Sequence, residues 1–253
     1  MAGHSHSANI KFRKDRVDSL RGKLFSKMAK EIISAAREGG GDPSMNLRLR
    51  YAIDRAKKAS MPRDNIERAV KKGSGELAGD QLEEILYEGY ATAGVAVLVE
   101  ALTDNRNRTA PDLRHMFEKR GGKLGTSGSV GFLFERRGIF LVPVAEAPSE
   151  DALMDVVLEI EADDLEKIGD VFEIRSAAAD FHRVASALEE RKLPISEMRL
   201  AWIPSNTVEV AERGKAEQVL QLLSDLEDHD DVQAVSANYE IPDAILAEIE
   251  AAS

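Results

Sequence analysis

The sequence predicts a multidomain α+β protein: an N-terminal three-helix bundle and two α+β domains, one of them ferredoxin-like and inserted in the other. Three observations predict it. The chain has 253 residues, at or beyond the size where one hydrophobic core gives way to several. Helical periodicity fills the first 75 or so residues, after which short β-branched runs alternate with helical stretches. Charge divides at the same place. Residues 1–75 carry 18 basic and 8 acidic side chains, a net +10, whereas the remainder carries 16 and 37, a net −21, within an overall −11. The boundaries expected from these changes are 1–77 for the helical domain, 78–135 with 204–240 for a discontinuous α+β domain, 136–203 for the insert and 241–253 for a C-terminal tail.

From Asp15 to Glu38, Val17, Leu20, Leu24, Met28, Ile32 and Ala35 recur at steps of three and four, the stripe of an amphipathic helix. Gly39–Gly41 stops it. Asp42-Pro43 reads as an N-cap with proline at the first helical position, and Leu49, Ile53 and Ala56 continue a second helix. After a break near Ser60, Pro62 opens a third carrying Ile66, Ala69 and Val70, with Gly73 placed for a left-handed stop. Lys71–Asp80 then reads as a linker.

Val95–Val99, bounded by Gly94 and Thr103-Asp104-Asn105, suits a buried strand, and Thr109 with Asp112 suits a capping box for a helix ending at Gly121-Gly122. Val130–Phe134 and Ile139–Val142 flank Arg136-Arg137-Gly138 as an expected hairpin. A helix near Glu150–Ile160, a strand at Val171–Ile174, a helix over Ala178–Arg191 and a strand at Ser196–Ile203 complete the ferredoxin-like order. The tail adds a strand at Thr207–Val210, a helix over Ala216–Leu226 and a strand at Val232–Ser236. No internal repeat is visible.

Composition excludes several classes. Hydrophobic residues at 43% and charged residues at 31% describe a folded globular chain. With no cysteine, disulfides, thiolate metal sites and a thiol nucleophile are ruled out. No run approaches the ~18 apolar residues of a membrane span, so no membrane association and a cytoplasmic location are expected. The histidines are scattered without metal-ligand spacing, and an Ala2-Gly3-His4 terminus exposed by loss of Met1 could chelate copper without being a functional site. No nucleophile–base pair or carboxylate pair declares itself, so neither enzyme activity nor a cofactor is expected.

The main candidate site is the basic surface of the helical domain: Lys11, Arg13, Lys14, Arg21, Lys23 and Lys27, then Arg48, Arg50, Lys57, Arg63 and Lys71, with Arg55, Lys58 and Lys72 beside them. Lysine offers phosphates a point charge and arginine a bidentate fork. Basic helical surfaces also arise for solubility alone, but the excess over acids here favours a polyanion. The second candidate is Asn105, Arg106, Asn107 and Arg108, a polar run after a buried strand, where amides and guanidiniums suit phosphate, ribose or base edges. Its residues could equally serve turns and caps. Gly121–Ser129 imitates a phosphate loop, but Leu124 follows Lys123 where a hydroxyl is required, so it reads as a glycine-rich connection. The acidic run Glu227–Asp231 reads as a solvated helix end.

Taken together, AGHSHSANIKFRK, GGGDPSMNLRLRYAIDRAKKASMPRDNIERAVKKGSG, YEGYATAGVAVLVEALTDNRNRT and GGKLGTSGSV resemble the YebC/PmpR family over nearly the whole chain. The family includes the mitochondrial translational activator of cytochrome oxidase. Where the family usually reads HSKWANIKHRK, this chain has His6, Ser7 and Phe12. The resemblance implies a helical bundle followed by an α+β domain interrupted by a ferredoxin-like one. It also implies a DNA-binding transcriptional regulator, with ribosome-associated translation as the alternative role. The partners it implies are DNA or ribosomal RNA, with ribosomal or transcription proteins meeting the acidic domains. Lys11, Arg13, Lys14, Arg21 and Lys23 match its basic N-terminal motif, and Asn105–Arg108 its central polar motif.

Overall fold

The computed structural model describes residues 21–78 and 81–251. Three helices come first: α1 (Arg21–Gly39), α2 (Leu47–Lys58) and α3 (Arg63–Gly73). Their cluster is built from Met28, Ile32, Ala35 and Ala36 of α1, Leu49, Ile53 and Ala56 of α2, and Ile66 and Ala69 of α3. This is the anticipated stripe; its portion before Arg21 lies outside the described residues.

Two helix ends differ from expectation. Helix α2 starts at Leu47, not at Asp42-Pro43, because Asn46 is the better cap. Its Oδ1 accepts from the Leu49 amide at 3.0 Å while its Nδ2 donates to the Ala35 and Gly40 carbonyls, each at 2.8 Å. An aspartate could accept but not donate, so Asp42 is left to close a turn onto the Ser44 amide at 2.9 Å. At the end of α3, Gly73 is a buried helical residue and Gly75, at φ +85°, takes the left-handed conformation. Gly73 is needed for close approach: a Cβ there would lie 2.6 Å from both Ala36 Cβ and the Ile33 carbonyl. The helix therefore runs into the segment expected as linker.

The first sheet has the order β3-β1-β2-β9, from β1 (Glu83–Tyr90), β2 (Ala96–Thr103), β3 (Lys123–Leu124) and β9 (Val232–Ala237). Strand β1 was not anticipated, since Glu83, Glu84 and Glu88 interrupt its apolar pattern. Helices α4 (Arg106–Lys119) and α7 (Arg213–Glu227) cover one face, where Val97 and Val99 meet Leu113, Phe117, Leu222 and Leu226. Ala96 and Leu98 face the other way, onto Val130 and Phe134. Burial on both faces explains why β2 reads as an unbroken apolar run.

The hairpin expected around Arg136-Arg137-Gly138 does not form. Gly131–Leu133 is a 3₁₀ turn and β4 (Phe134–Pro143) is one continuous strand between two partners. Gly138 marks a tight contact here, since a Cβ would fall 2.9 Å from the Phe181 ring. With α5 (Glu150–Glu159), β5 (Asp164–Ile168), β6 (Val171–Ala177), α6 (Phe181–Glu190) and β7 (Glu197–Pro204), the chain builds an antiparallel sheet of order β5-β6-β4-β7. This βαββαβ arrangement is ferredoxin-like. After it, β8 (Val208–Glu209) and α7 return the chain to β9 beside β2, so the second sheet is inserted in the first unit. A short β10 (Tyr239–Glu240) pairs with β8, and in the expected tail α8 (Asp243–Ala251) lays Ile245, Leu246 and Ile249 on the first core.

The α1–α3 crossing is directly testable. Gly73→Ala is expected to cost about 1–3 kcal/mol in urea unfolding, as overpacking does. Gly22→Ala, with nothing within 4 Å of its Cβ, should be neutral or slightly stabilising. Equal stabilities would show that the close crossing is not tight.

Candidate nucleic-acid interface

Most of the basic side chains expected to meet phosphate are turned onto the chain's own acids and carbonyls. On α1, Lys23 donates to the Asp228 carbonyl at 3.3 Å, Lys27 to that of Glu227, and Lys30 to that of Asp230 at 3.1 Å. These three lysines, spaced four and three residues apart, form one stripe facing the C-terminal end of α7. That end presents carbonyls without helical partners and a partial negative charge, so ammonium groups are favourable there. Lys27 is set deeply enough that burial lowers its pKa to about 8, against the attraction of Glu227, Asp228 and Asp230.

On α2, Arg48 bridges Glu38 at 2.5 Å and Glu84 of β1, while Arg50 reaches Glu189 of α6 at 3.4 Å. Lys58 donates to the Ile195 and Ser196 carbonyls at 3.0 and 3.2 Å, and Arg55 and Lys57 pair with Glu31 and Asp54. On α3, Arg63 pairs with Glu67 at 2.7 Å across a helical turn. Lys11, Arg13 and Lys14 lie outside the described residues, as does the side chain of Arg21.

The central polar run is not a loop. Asn105 caps α4, accepting the Arg108 amide at 3.1 Å, so Arg106, Asn107 and Arg108 form its first turn. The capping box expected at Thr109 and Asp112 is displaced by one turn, and Thr109 is buried inside the helix. Arg108 folds back onto Asp104 and Asp231, each at 2.9 Å. Arg106 and Asn107 are exposed, and their side chains have no hydrogen bond or ion pair among the described residues.

The residue that organises this region was read from sequence as part of a solvated helix end. Asp231 is 2% exposed. Its Oδ1 accepts from Lys30 at 2.5 Å; its Oδ2 accepts from Thr109 at 2.7 Å, Arg108 at 2.9 Å and Thr103 at 3.1 Å. Burial alone would raise the Asp231 pKa, but the bonds from Lys30, Arg108 and Thr109 outweigh it and hold the carboxyl well below the usual range. Two features pointed to it: Asp231 immediately precedes a strand that opens on the buried Val232, and Lys30 continues the stripe of Lys23 and Lys27.

Glu88 is a second buried carboxylate, accepting from the Gly128, Val130 and Gly131 amides at 2.6–2.7 Å. Burial raises its pKa, yet the three amides hold it below the ordinary value. The Gly128 amide at the end of the glycine-rich segment, with the Val130 and Gly131 amides that follow it, is therefore occupied from within.

What remains outward is narrower than the sequence suggested. Arg68 and Lys71 of α3 are exposed with no ion pair among the described residues, three residues apart on one face. Beside them Lys72 and Arg37 line a shallow cleft of about 520 Å³ with Ser74 and Gly75. No group of three or more potential metal ligands occurs among the described residues, and no helix there is long and apolar enough to cross a membrane.

Residues 5–76 match the "TACO1/YebC protein N-terminal domain" and residues 82–239 the "TACO1/YebC second and third domain". The chain belongs to the TACO1/YebC family. Members from Aquifex aeolicus and Natranaerobius thermophilus are each 51% identical, over 98% and 97% of this chain and 100% and 99% of their own lengths. Both are named "Probable transcriptional regulatory protein". A crystal structure of a conserved hypothetical protein from Aquifex aeolicus superposes with a TM-score of 0.84 at 50% identity, covering 90% of this chain and 94% of that one.

Asp231→Asn should leave Lys30 and Arg108 facing a neutral group and cost about 3 kcal/mol at pH 7. Because the folded pKa is depressed, the wild-type contribution is complete above the unfolded value of 3.8 and fades as pH falls towards the folded one. Urea unfolding at pH 7 and pH 3 should therefore show the two proteins converging in acid. A constant difference between them would contradict this assignment.

Proposed function

We propose that this protein is a non-enzymatic, cytoplasmic regulator of gene expression that binds nucleic acid by its phosphates, with DNA as the polymer. One observation carries the reading: the outer face of α3 keeps Arg68 and Lys71 exposed and unpaired among the described residues, with Lys72 and Arg37 in the adjoining cleft. Exposed cations held on a helix, as Arg68 and Lys71 are, are what sequence-independent phosphate binding requires. Arg106 and Asn107 at the start of α4 offer a further guanidinium and an amide. The names of the relatives support regulation of transcription as the setting.

Binding of a DNA duplex through about four phosphate contacts should weaken roughly 10²-fold between 50 and 200 mM salt. Arg68→Ala with Lys71→Ala should lower affinity about tenfold and reduce the salt slope by about two. Fluorescence anisotropy over a salt series measures both. A flat salt response would overturn the reading. Crosslinking in cells followed by sequencing identifies the polymer: reads at promoters support DNA, and reads in ribosomal RNA would replace it by RNA.

A further inference from the structure

We infer that the acidic segment Glu227–Asp231 is a built-in competitor for nucleic acid: it occupies the lysine stripe of α1, and nucleic-acid binding by that stripe releases α1 from the end of α7. The inference rests on the nucleic-acid reading above and extends it to a masked part of the surface.

Lys23, Lys27 and Lys30 make their contacts with oxygen atoms of residues 227–231, three backbone carbonyls and one carboxylate. A run of closely spaced oxygens carrying negative charge is also what a phosphate backbone presents. The ammonium groups of Lys27 and Lys30, half-buried against the turn, cannot face both at once. Lys27, partly buried in the seam, is shut away from a duplex while the seam is closed.

The chemistry of the seam suits a reversible contact. The hydrophobic cluster of the helical unit and that of the first sheet share no residue, so no continuous apolar core ties α1 to α7. Charge contacts at a surface are weakened by salt and displaced by a denser polyanion, whereas an apolar joint is not. The other side of the helical unit does have an apolar anchor. Tyr51 of α2 packs against the core of the second sheet, with its ring 5.9 Å from that of Phe181, and that contact stays closed in this proposal. Lys27 and Lys30, half-buried against an acidic turn with the exposed Lys23 beside them, are thus a store of phosphate-binding capacity that the free protein holds turned inward.

The test uses the full chain, which holds no cysteine of its own. Asp228→Asn with Asp230→Asn removes two of the carboxylates that attract Lys27 and leaves the Asp231 network in place. Asp151→Asn with Asp155→Asn on α5 makes the same change in net charge away from the seam. The first double variant should bind a mixed-sequence DNA duplex at least about fivefold more tightly than the second, the lower end of ordinary coupling between sites. In parallel, spin labels on Ser26→Cys of α1 and Glu118→Cys of α4 should report a longer and broader distance distribution when duplex is added. Equal affinities of the two double variants, or a distance distribution unchanged at saturating duplex, would overturn this inference and leave the α3 reading standing. Absence of salt-dependent binding in every form, wild type included, would overturn both.

Discussion

The carboxylate of Asp231 sits where three parts of the chain meet: Lys30 from the helical unit, Arg108 and Thr109 from the first turns of α4, and Thr103 from the end of β2. A carboxylate that is 2% exposed is tolerable only when its lone pairs are filled by charged and hydroxyl donors, and here four donors fill them. The constraint acts in both directions. It fixes the start of α4, since Thr109 must be inside the helix to reach Oδ2, and so decides which members of the central polar run face solvent. It also fixes α1 against α7, since Lys30 brings Lys27 and Lys23 onto the neighbouring carbonyls.

The division of charge along the chain therefore has an internal use. The helical unit is held to the acidic remainder at three places: Lys23, Lys27 and Lys30 on the 227–231 turn, Arg48 on Glu84, and Arg50 with Lys58 on the second sheet unit. Pairing of this kind is modest contact by contact when exposed, but at Asp231 the carboxylate itself is buried and accepts four hydrogen bonds. A protein that spends its cations this way presents a smaller basic surface than its sequence advertises. The outer face of α3 and the Arg106–Asn107 corner are what it leaves exposed without an ion pair among the described residues.

The helices were legible in the sequence wherever a single apolar stripe meets a core, as with Met28, Ile32 and Ala35. The ferredoxin-like order was legible because β-branched runs alternate with helical ones. What escaped was decided by long-range contacts. Strand β1 is broken by glutamates, one of which, Glu88, is buried for the sake of three amides some 40 residues away. The false hairpin at Arg136–Gly138 came from a glycine that answers to the Phe181 ring, not to a turn. Within the candidate site, the residues were read from their charge and amide chemistry as suited to phosphate. Their targets were not legible, because nothing local in Lys27 or Arg108 tells that a carboxylate or carbonyl more than 100 residues later arrives first.

The central claim, that buried charge pairing at Asp231 holds the helical unit to the rest of the chain, is tested most directly by a double-mutant cycle on Lys30 and Asp231. Lys30→Met, Asp231→Asn and the combination, measured by urea unfolding at pH 7 and low salt, isolate the pairwise coupling from the individual costs. A coupling of more than about 1 kcal/mol, larger than exposed pairs give, is the predicted result. Additive effects of the two substitutions would contradict the account.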